Sequence, residues 1–266
     1  MINICTNKKM GTSRRDFIKT IGITGLAAMS LPEILSASES IDFSEDINKG
    51  KGLTILFQGD SITDGNRTRN NDWNHVMGHG YQYLVASRLW YDYPDKELMF
   101  YNRGISGNRV RDLDLRWQKD AIDLKPDVIS ILIGVNDVNA VVNNTNPDSV
   151  EKFEETYKRI LDKTKEALPE TLFVLMEPFI LPLGHVNEKT EIWNVEILKR
   201  QEIVRKLAEN YQTVLIKLQE PFTNACKKAP SNYWIWDGIH PMPAGHELIA
   251  RLWIKEVRKK LKFIKS

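Results

Sequence analysis

The stretch ILFQGDSITDGNR, residues 55–67, decides how the chain is expected to fold. Its apolar run, residues 55–57, stops at the turn-forming residues Gly59 and Asp60, as a buried strand does where it meets a loop. The next residue, Ser61, lies where a serine either caps a following helix or exposes its hydroxyl at the tip of the strand. The pattern predicts a strand, a sharp turn and Ser61 at that turn, and it leaves the role of the serine open.

Four further apolar runs of strand length alternate with longer helical patterns along the chain. They are rich in Val, Ile, Leu and Phe without clean alternation, which is typical of parallel strands that helices cover on both faces. We therefore predict an α/β fold, a three-layer α/β/α sandwich with a central parallel sheet of about five strands. The predicted strands are residues 53–58, 98–102, 128–133, 172–176 and 214–218, and the predicted helices are residues 81–91, 110–123, 149–168, 192–209 and 244–261. Asn108 is expected to cap the second helix, and Asn146-Pro147 to begin the third.

The composition is that of a globular protein, with 42% hydrophobic and 27% charged residues in a chain of 266. The net charge is +2, but residues 1–38 carry five basic and two acidic side chains, so the remainder of the chain has a net charge of −1. A nearly neutral domain gives no electrostatic reason to expect nucleic acid or an anionic membrane as a partner.

The N-terminal residues are predicted to be an export signal outside the fold. The pair Arg14-Arg15 precedes an uncharged run from Thr20 to Pro32, which is too short to span a membrane but typical of a signal's hydrophobic region. The arrangement resembles a bacterial twin-arginine signal, and an amphipathic N-terminal helix is the alternative. We predict an exported protein, periplasmic or secreted, with no stable membrane insertion after processing. Its expected parts are a signal peptide at 1–38, a linker at 39–50 and one domain at 51–266.

Neither a metal site nor a catalytic thiol is predicted. His75 and His79 are four residues apart, a spacing that can hold a metal on a helix, but Gly78 and Gly80 disfavour a helix there. Cys226 is the one cysteine beyond the predicted signal, no histidine lies near it in sequence, and it is interpreted as a small buried side chain on a helix. The expected chemistry needs no metal and no other cofactor.

A candidate base lies far downstream of Ser61, in the stretch WDGIHP, residues 236–241. Asp237 precedes His240 by three residues, so its carboxylate can reach the ring across one turn, fix the tautomer and stabilise the imidazolium. The motif follows the last predicted strand, at the same edge of the sheet as Ser61. A solvated loop pair is the alternative interpretation. His246 is the nearest rival base, but it lies within the last predicted helix and is interpreted as structural.

Two more loops at this edge offer hydrogen-bond donors. The segment NRGISGN, residues 102–108, follows the second strand, and glycine there lets a backbone N–H approach a ligand without a Cβ in the way. The segment GVND, residues 134–137, follows the third strand, and the Asn136 amide can point into the same site. Each segment alone is an ordinary turn. Their occurrence with Ser61, Asp237 and His240 at one edge favours a catalytic site.

This constellation resembles the SGNH hydrolases, also called the GDSL esterase family, over nearly all of the domain from residue 53 onward. Isoleucine at position 62 replaces the usual leucine of the first family block, a conservative departure. The four blocks, in order, are Gly59-Asp60-Ser61-Ile62, Gly104 within Asn102–Gly107, Gly134-Val135-Asn136-Asp137, and Asp237–His240.

The resemblance implies a flavodoxin-like fold and a catalytic role for each matching residue. Ser61 would be the nucleophile, His240 the general base and later the acid, and Asp237 the residue that orients the ring. Asp60 is expected to hydrogen-bond the loops that position the site. The expected oxyanion donors are the Ser61 N–H, the Gly104 N–H and the Asn136 side chain.

The resemblance supports ester hydrolysis more firmly than it supports one substrate, since family members act on acetylated sugars, lysophospholipids, thioesters and other small esters. Export would bring the protein to extracellular glycans. The rings near the predicted edge can stack on sugars, although such rings are also good core residues; they are Trp73, Tyr81, Trp234 and Trp236. The expected partner is therefore a small-molecule or oligosaccharide ester, with Trp73 and Trp236 as expected contacts. We predict removal of acetyl groups from carbohydrates; a lysophospholipase or thioesterase, and a non-catalytic glycan-binding module, are the alternatives.

Overall fold

The computed structural model describes residues 52–70 and 72–265. The predicted signal at 1–38 and the predicted linker at 39–50 lie outside the described residues. Five parallel strands form one sheet in the order β2-β1-β3-β4-β5, which confirms the predicted fold class and each predicted strand to within two residues. The strands are β1 (Thr54–Gly59), β2 (Met99–Asn102), β3 (Val128–Leu132), β4 (Leu172–Met176) and β5 (Val214–Ile216).

Helices cover both faces of the sheet. On one face, α2 and α10 pack on a core that includes Tyr81, Leu89 and Trp253, and on the other face α3, α5 and α7 enclose a second core around Trp117 and Phe153. The helices of the described residues are α1 (Ser61–Asp64), α2 (Tyr81–Asp92), α3 (Val110–Asp120), α4 (Val135–Val142), α5 (Val150–Ala167), α6 (Gly184–Glu188), α7 (Thr190–Asn210), α8 (Gln219–Ala225), α9 (Ser231–Trp234) and α10 (Pro243–Val257). The described helices do not include one with the length and hydrophobicity of a membrane span.

Both predicted helix caps are wrong. The N-cap residue of α3 is Arg109, not Asn108, and its backbone N–H donates to the Asp112 carboxylate over 2.8 Å. At the start of α5, the hydroxyl of Ser149 accepts the N–H of Lys152 over 3.1 Å. Asn146 has a left-handed backbone with φ of +52°, which is not the extended conformation of an N-cap residue.

Two helix ends also differ from the prediction. Helix α3 ends at Asp120 and a short 3₁₀ turn, Ile122–Leu124, follows it, while α10 ends at Val257. Cys226 follows α8 directly and is half-buried, with its Sγ 3.5 Å from the Ser231 hydroxyl, so it is neither inside a helix nor fully buried.

The strand register brings the loops of interest to one edge. Phe57 of β1 lies opposite Asn102, the last residue of β2, and Gly59 lies opposite Leu132, the last residue of β3. Since all strands run in parallel, the segments that follow β1, β2 and β3 leave the sheet side by side, where ligands bind in this class of fold.

Candidate active site

Ser61 and His240 meet at the carboxyl edge of the sheet, although 179 residues separate them in sequence. Ser61 is the first residue of α1, and its Oγ lies 2.8 Å from Nε2 of His240. The other ring nitrogen, Nδ1, lies 2.6 Å from Oδ2 of Asp237. The structure thus places the three residues in the hydrogen-bonded row that the sequence predicted.

The sharp end of β1 explains how the serine reaches this position. A Cβ on Gly59 would lie 2.3 Å from the Leu132 carbonyl oxygen and 2.5 Å from the Thr63 hydroxyl, so no larger residue fits there. The close approach of β3 forces the chain to turn directly into α1. Ser61 therefore stands at the strand tip with its hydroxyl turned toward His240.

The loop that carries Asp237 and His240 is tied together internally. Oδ1 of Asp237 accepts the backbone N–H groups of Ile239, over 3.0 Å, and of His240, over 2.8 Å. Gly238 has a φ of +99°, and a Cβ there would lie 2.4 Å from the Leu183 carbonyl oxygen. Glycine therefore lets the loop pack closely against the segment before α6 while the carboxylate faces the ring.

The pKa values of Asp237 and His240 determine which nitrogen of the His240 ring carries a proton. Burial disfavours the charge on Asp237, but hydrogen bonds from the His240 ring and from two backbone N–H groups outweigh it and lower the pKa of this carboxyl to about 2. An ionised carboxylate accepts only, so Nδ1 of His240 carries the proton and Nε2 of the neutral ring accepts the Ser61 hydroxyl proton. The hydrogen bond to Asp237 outweighs burial and raises the pKa of His240 above its ordinary value.

Asp60 acts on the short helix rather than on the surrounding loops. Its side chain is fully buried, and Oδ1 accepts the N–H of Ile62 over 3.0 Å, which caps α1. Oδ2 has no hydrogen-bond partner within the described residues. Burial raises the pKa of this carboxyl to about 7, against the lowering effects of the Ile62 N–H and of His240. The expected bonds from Asp60 to the neighbouring loops are not those the structure shows.

The prediction that Gly104 supplies a free N–H is wrong. Its amide donates to Oδ1 of Asn102 over 2.9 Å. A Cβ on Gly104 would lie 2.4 Å from the backbone nitrogen of Asp64, so this glycine lets the loop after β2 pack directly against α1. Gly104 is therefore a packing residue beneath the helix that carries Ser61.

The next glycine of the same loop, Gly107, was not predicted as an oxyanion donor. Unlike Gly104, it has an unpaired N–H and open space around its Cα. Its φ is +83°, a Cβ would meet open space, and its N–H donates to no acceptor in the described part of the chain. The preceding Ser106 N–H is bonded to Asp64 over 3.0 Å, and the following Asn108 carbonyl accepts from Asn136 over 3.1 Å. Gly107 thus lies between α1 and Asn136, with its amide unpaired.

Asn136 and Ser61 contribute the other donors. The bond to Asn108 uses one of the two N–H groups on the Asn136 amide, and the second has no acceptor among the residues described. The backbone N–H of Ser61, at the start of α1, is likewise without an acceptor there. The neighbouring Asp137 is buried and accepts the Val110 N–H at 3.3 Å, which joins α4 to α3; burial raises its pKa to about 8.

The aromatic residues near this edge have different surroundings. The Trp236 ring is 62% exposed and stacks on His240, with centroids 6.1 Å apart and planes 27° apart. Trp73 is 59% exposed and lines a separate cavity beside α1. Tyr81 is a buried core residue whose hydroxyl contacts Thr63, and Trp234 is half-buried. Of these rings, Trp236 is the one in contact with the predicted base.

His246 and His75 have structural partners. Nδ1 of His246 accepts the Tyr81 N–H over 3.1 Å, and burial lowers the pKa of this histidine to about 4, in agreement with the structural role predicted for it. His75 pairs with Asp72 over 2.6 Å. Residues 52–70 and 72–265 contain no group of three or more His, Cys, Asp or Glu side chains arranged to hold a metal ion.

Comparison with known proteins gives consistent matches. Residues 57–248 match the model of the GDSL-like Lipase/Acylhydrolase family. An acetylxylan esterase from Geobacillus stearothermophilus is 32% identical over 214 residues, which cover 78% of this chain and 95% of that protein. The crystal structure of a candidate GDSL-like lipase from Parabacteroides merdae is 39% identical with a TM-score of 0.75, over 79% of this chain and 97% of that one.

A further similar structure is that of Axe2, an acetylxylan esterase from Geobacillus stearothermophilus, with a TM-score of 0.70 and 32% identity over 79% of this chain and 96% of that one. Other solved forms of Axe2 are described as catalytic mutants. They replace a serine, an aspartate and a histidine that lies three positions after that aspartate.

Proposed function

This chain belongs to the GDSL-like lipase/acylhydrolase family and is a carboxylic ester hydrolase, and from that premise we propose that it removes acetyl groups from carbohydrates through an acyl-serine intermediate. The observation that carries the serine mechanism is the row of hydrogen bonds from Ser61 through His240 to Asp237, with distances of 2.8 Å and 2.6 Å. These three residues are called the proposed triad below.

In the proposed reaction, Oγ of Ser61 attacks the ester carbonyl carbon while Nε2 of His240 takes the hydroxyl proton. The imidazolium that forms is stabilised by the ionised Asp237 and passes its proton to the sugar oxygen as the ester bond breaks. The acetyl group is then on Ser61. Water, deprotonated by His240, attacks the acyl-serine. As the bond to Oγ breaks, acetate is released and His240 returns the proton to Oγ.

The tetrahedral intermediate carries a negative oxygen that requires donors fixed in advance. The Ser61 N–H, the Gly107 N–H and the second N–H of Asn136 have no acceptors within the described residues. The neighbours of Gly107 bond to Asp64 of α1 on one side and to Asn136 on the other. We assign the oxyanion site to these three groups. Removal of one such donor typically lowers the rate by about 10²–10³.

Two observations favour a sugar acetate over a lysophospholipid or a thioester. The relative from Geobacillus stearothermophilus is an acetylxylan esterase that this chain matches over 95% of its length. The exposed Trp236 ring lies beside His240, where a pyranose ring can stack on it. A glycan-binding module without activity has no need of the proposed triad.

We also propose that the protein acts outside the cytoplasm. Support comes from Arg14-Arg15 and the uncharged run from Thr20 to Pro32, which have the pattern of a twin-arginine signal. Fractionation of cells that express the full chain, with and without replacement of both arginines by lysine, tests this location. Retention of the unmodified protein in the cytoplasm would contradict it.

The enzymatic proposal is tested with the purified protein, Ser61→Ala, and Ser149→Ala as a matched serine variant whose hydroxyl caps α5 away from the proposed triad. Hydrolysis of 4-nitrophenyl acetate and its octanoate homologue is compared, and acetate release is measured from acetylated xylo-oligosaccharides. We expect an acetyl preference and acetate release that disappear in Ser61→Ala alone. An octanoyl preference would shift the assignment to lipid or thioester substrates, and turnover that persists without the Ser61 hydroxyl would exclude the serine mechanism.

A further inference from the structure

A cavity of about 170 Å³ lies beside α1, outside the proposed triad. Its distinctive feature is a concentration of positive charge and aromatic rings. The lining includes Arg67, Arg69, Arg103, Trp73 and Tyr101, and we call it the arginine cavity.

Two of the three arginines have no carboxylate partner. Arg69 is neutralised by Asp64, with Nη2 2.6 Å from Oδ2. By contrast, Arg67 donates through Nε to the Gly104 carbonyl over 3.0 Å, and the Arg103 guanidinium lies 5.4 Å from the centroid of the Tyr101 ring. Neither Arg67 nor Arg103 has a carboxylate within ion-pair distance in the part of the chain that the structure describes.

The positive charge of Arg67 is destabilised by its burial and by neighbouring positive charges. Only 7% of this residue is exposed, and burial together with the neighbouring charges of Arg69 and Arg103 lowers the pKa of Arg67 to about 10, against the opposing effect of Asp64. The guanidinium is still charged at neutral pH. A ligand anion in the cavity would offset this desolvation and repulsion.

We infer that the arginine cavity binds an acidic sugar residue of the substrate, through the carboxylate of a uronic acid or the sulfate ester of a sulfated sugar. Guanidinium groups match such anions because their planar donors form paired hydrogen bonds. Trp73, 59% exposed, offers a ring face for the sugar itself. The cavity is smaller than the roughly 300–1,000 Å³ of a complete ligand pocket, so it fits one ring of a longer chain.

The cavity is built on the same elements as the nucleophile. Asp64, which holds Arg69, is the last residue of α1 and lies three residues after Ser61, about 4.5 Å along the helix axis. Arg67 binds the carbonyl of Gly104 in the loop that continues to Gly107. We therefore expect one oligosaccharide to place its acetylated sugar at Ser61 and an acidic sugar in the cavity. This role of the cavity rests on the proposed function.

Binding to Ser61→Ala tests the site without turnover. Calorimetry compares trigalacturonate with the same trisaccharide fully methyl-esterified, which keeps the sugar chain but carries no charge. A sulfated galacto-oligosaccharide and its unsulfated counterpart form the second pair. We expect binding of the charged member of one pair to be at least about tenfold tighter, which is about 1.4 kcal/mol, since hydrogen bonds to charged groups are stronger than those to neutral groups. The preference for the charged member should weaken as the salt concentration increases. A preference in the galacturonate pair would identify the bound anion as a uronate, and one in the galacto-oligosaccharide pair would identify it as a sulfate.

Substitutions of Arg103 test whether the preference for charged oligosaccharides arises in the arginine cavity. In the Ser61→Ala background, Arg103→Gln should abolish it, whereas Arg103→Lys keeps the charge without the planar donors and should retain part of it. Arg251→Gln is the matched control, because this arginine is exposed on α10 and does not line the cavity. Equal affinity for the charged and uncharged members of both pairs, or an unchanged preference in Arg103→Gln, would overturn the inference. If Arg103→Gln does not fold, as judged by circular dichroism, Arg103→Lys replaces it, and an undiminished preference in Arg103→Lys would then overturn the inference.

The two proposals fail in distinguishable ways. Acetate release by the unmodified protein from neutral acetylated xylo-oligosaccharides, without any preference for charged trisaccharides, would overturn the acidic-sugar site alone. A preference that depends on Arg103, in a protein that releases acetate from no glycan, would instead overturn the deacetylase function and leave the binding site.

Discussion

The Asp237 carboxylate holds His240 at two points, with Oδ2 2.6 Å from ring Nδ1 and Oδ1 2.8 Å from the backbone nitrogen. The first contact selects the tautomer and the second fixes the loop that carries the ring. Because both oxygens belong to one side chain, the orientation of the imidazole toward Ser61 depends on a single residue.

We expect Asp237→Asn to lower kcat by about 10⁴-fold, since such a replacement in a Ser–His–Asp triad leaves the geometry intact but permits the wrong tautomer. Steady-state kinetics on 4-nitrophenyl acetate measures the loss. The matched control is Asp114→Asn, which removes a surface carboxylate paired with Arg159 and Lys163. A comparable loss of kcat in both variants would show that the effect is not specific to the proposed triad.

The pH dependence of kcat/KM should follow His240. Neutral imidazole accepts the serine proton, so activity is absent at low pH and rises as His240 loses its proton. Because the hydrogen bond to Asp237 raises the pKa of His240, the midpoint should lie above the ordinary value of about 6.5. In Asp237→Asn the midpoint of the residual activity should move down. A midpoint unchanged by this substitution would assign the titration to another group.

Asp60 should affect both stability and the same titration. Asp60→Ala removes the acceptor for the Ile62 N–H, and loss of such a cap costs about 1 kcal/mol in the free energy of unfolding. Because burial raises the pKa of Asp60, its ionisation opposes folding at high pH, and both variants also remove that charge. Urea denaturation should therefore show Asp60→Ala to be less stable than Asp60→Asn, which keeps a side-chain oxygen. Since the charge of Asp60 also raises the pKa of His240, both variants should move the midpoint of activity to lower pH. A change in stability without that movement would limit Asp60 to capping.

Asn136→Ala should lower kcat by about 10²–10³ while KM changes little, because an oxyanion donor acts on the transition state more than on the bound ester. Asn139→Ala, three residues further along α4, is the control, as its side chain bonds only Asn143 among the described residues. An increase in KM with kcat unchanged would make Asn136 a residue that binds substrate and not an oxyanion donor.

The sequence was sufficient for the sheet and for the pairing of Ser61 with His240. Continuous apolar runs specify buried parallel strands, and parallel strands bring the residues that follow them to one edge, so the meeting of residues 179 positions apart follows from topology. The order of the strands and helices determines this meeting, and the paths of the loops do not affect it.

The details that the sequence did not predict depend on loop paths. Gly104 and Gly107 are both glycines of the loop after β2, three residues apart in sequence. Only the course of that loop decides which of their amides is bonded to Asn102. The arginine cavity was missed for a similar reason. Arg67 and Arg103 are 36 residues apart in sequence, and no local pattern indicates that they line one cavity.

The assignment of the backbone donor to Gly107 can be tested by NMR spectroscopy on protein with ¹⁵N-labelled glycine. A phosphonate that reacts covalently with Ser61 places a negative oxygen where the oxyanion forms. Because hydrogen bonds to charged oxygens are short and strong, the amide proton of the donor glycine should shift downfield. We expect this shift for Gly107 and not for Gly104, whose N–H is already bonded to Asn102 at 2.9 Å. Ser61→Ala, to which the reagent cannot attach, is the control.

Substitution by alanine separates the two glycines further. A Cβ on Gly104 would lie 2.4 Å from the Asp64 nitrogen, so Gly104→Ala must displace α1 and should reduce stability and activity together. Gly107→Ala meets no atom within 4 Å but must hold a φ of +83°, which costs about 1–2 kcal/mol. It should remain folded and lose kcat, because relief of the strain turns the amide away. A downfield shift at Gly104, or full activity in Gly107→Ala, would return the role to Gly104 and require the bond to Asn102 to break during catalysis.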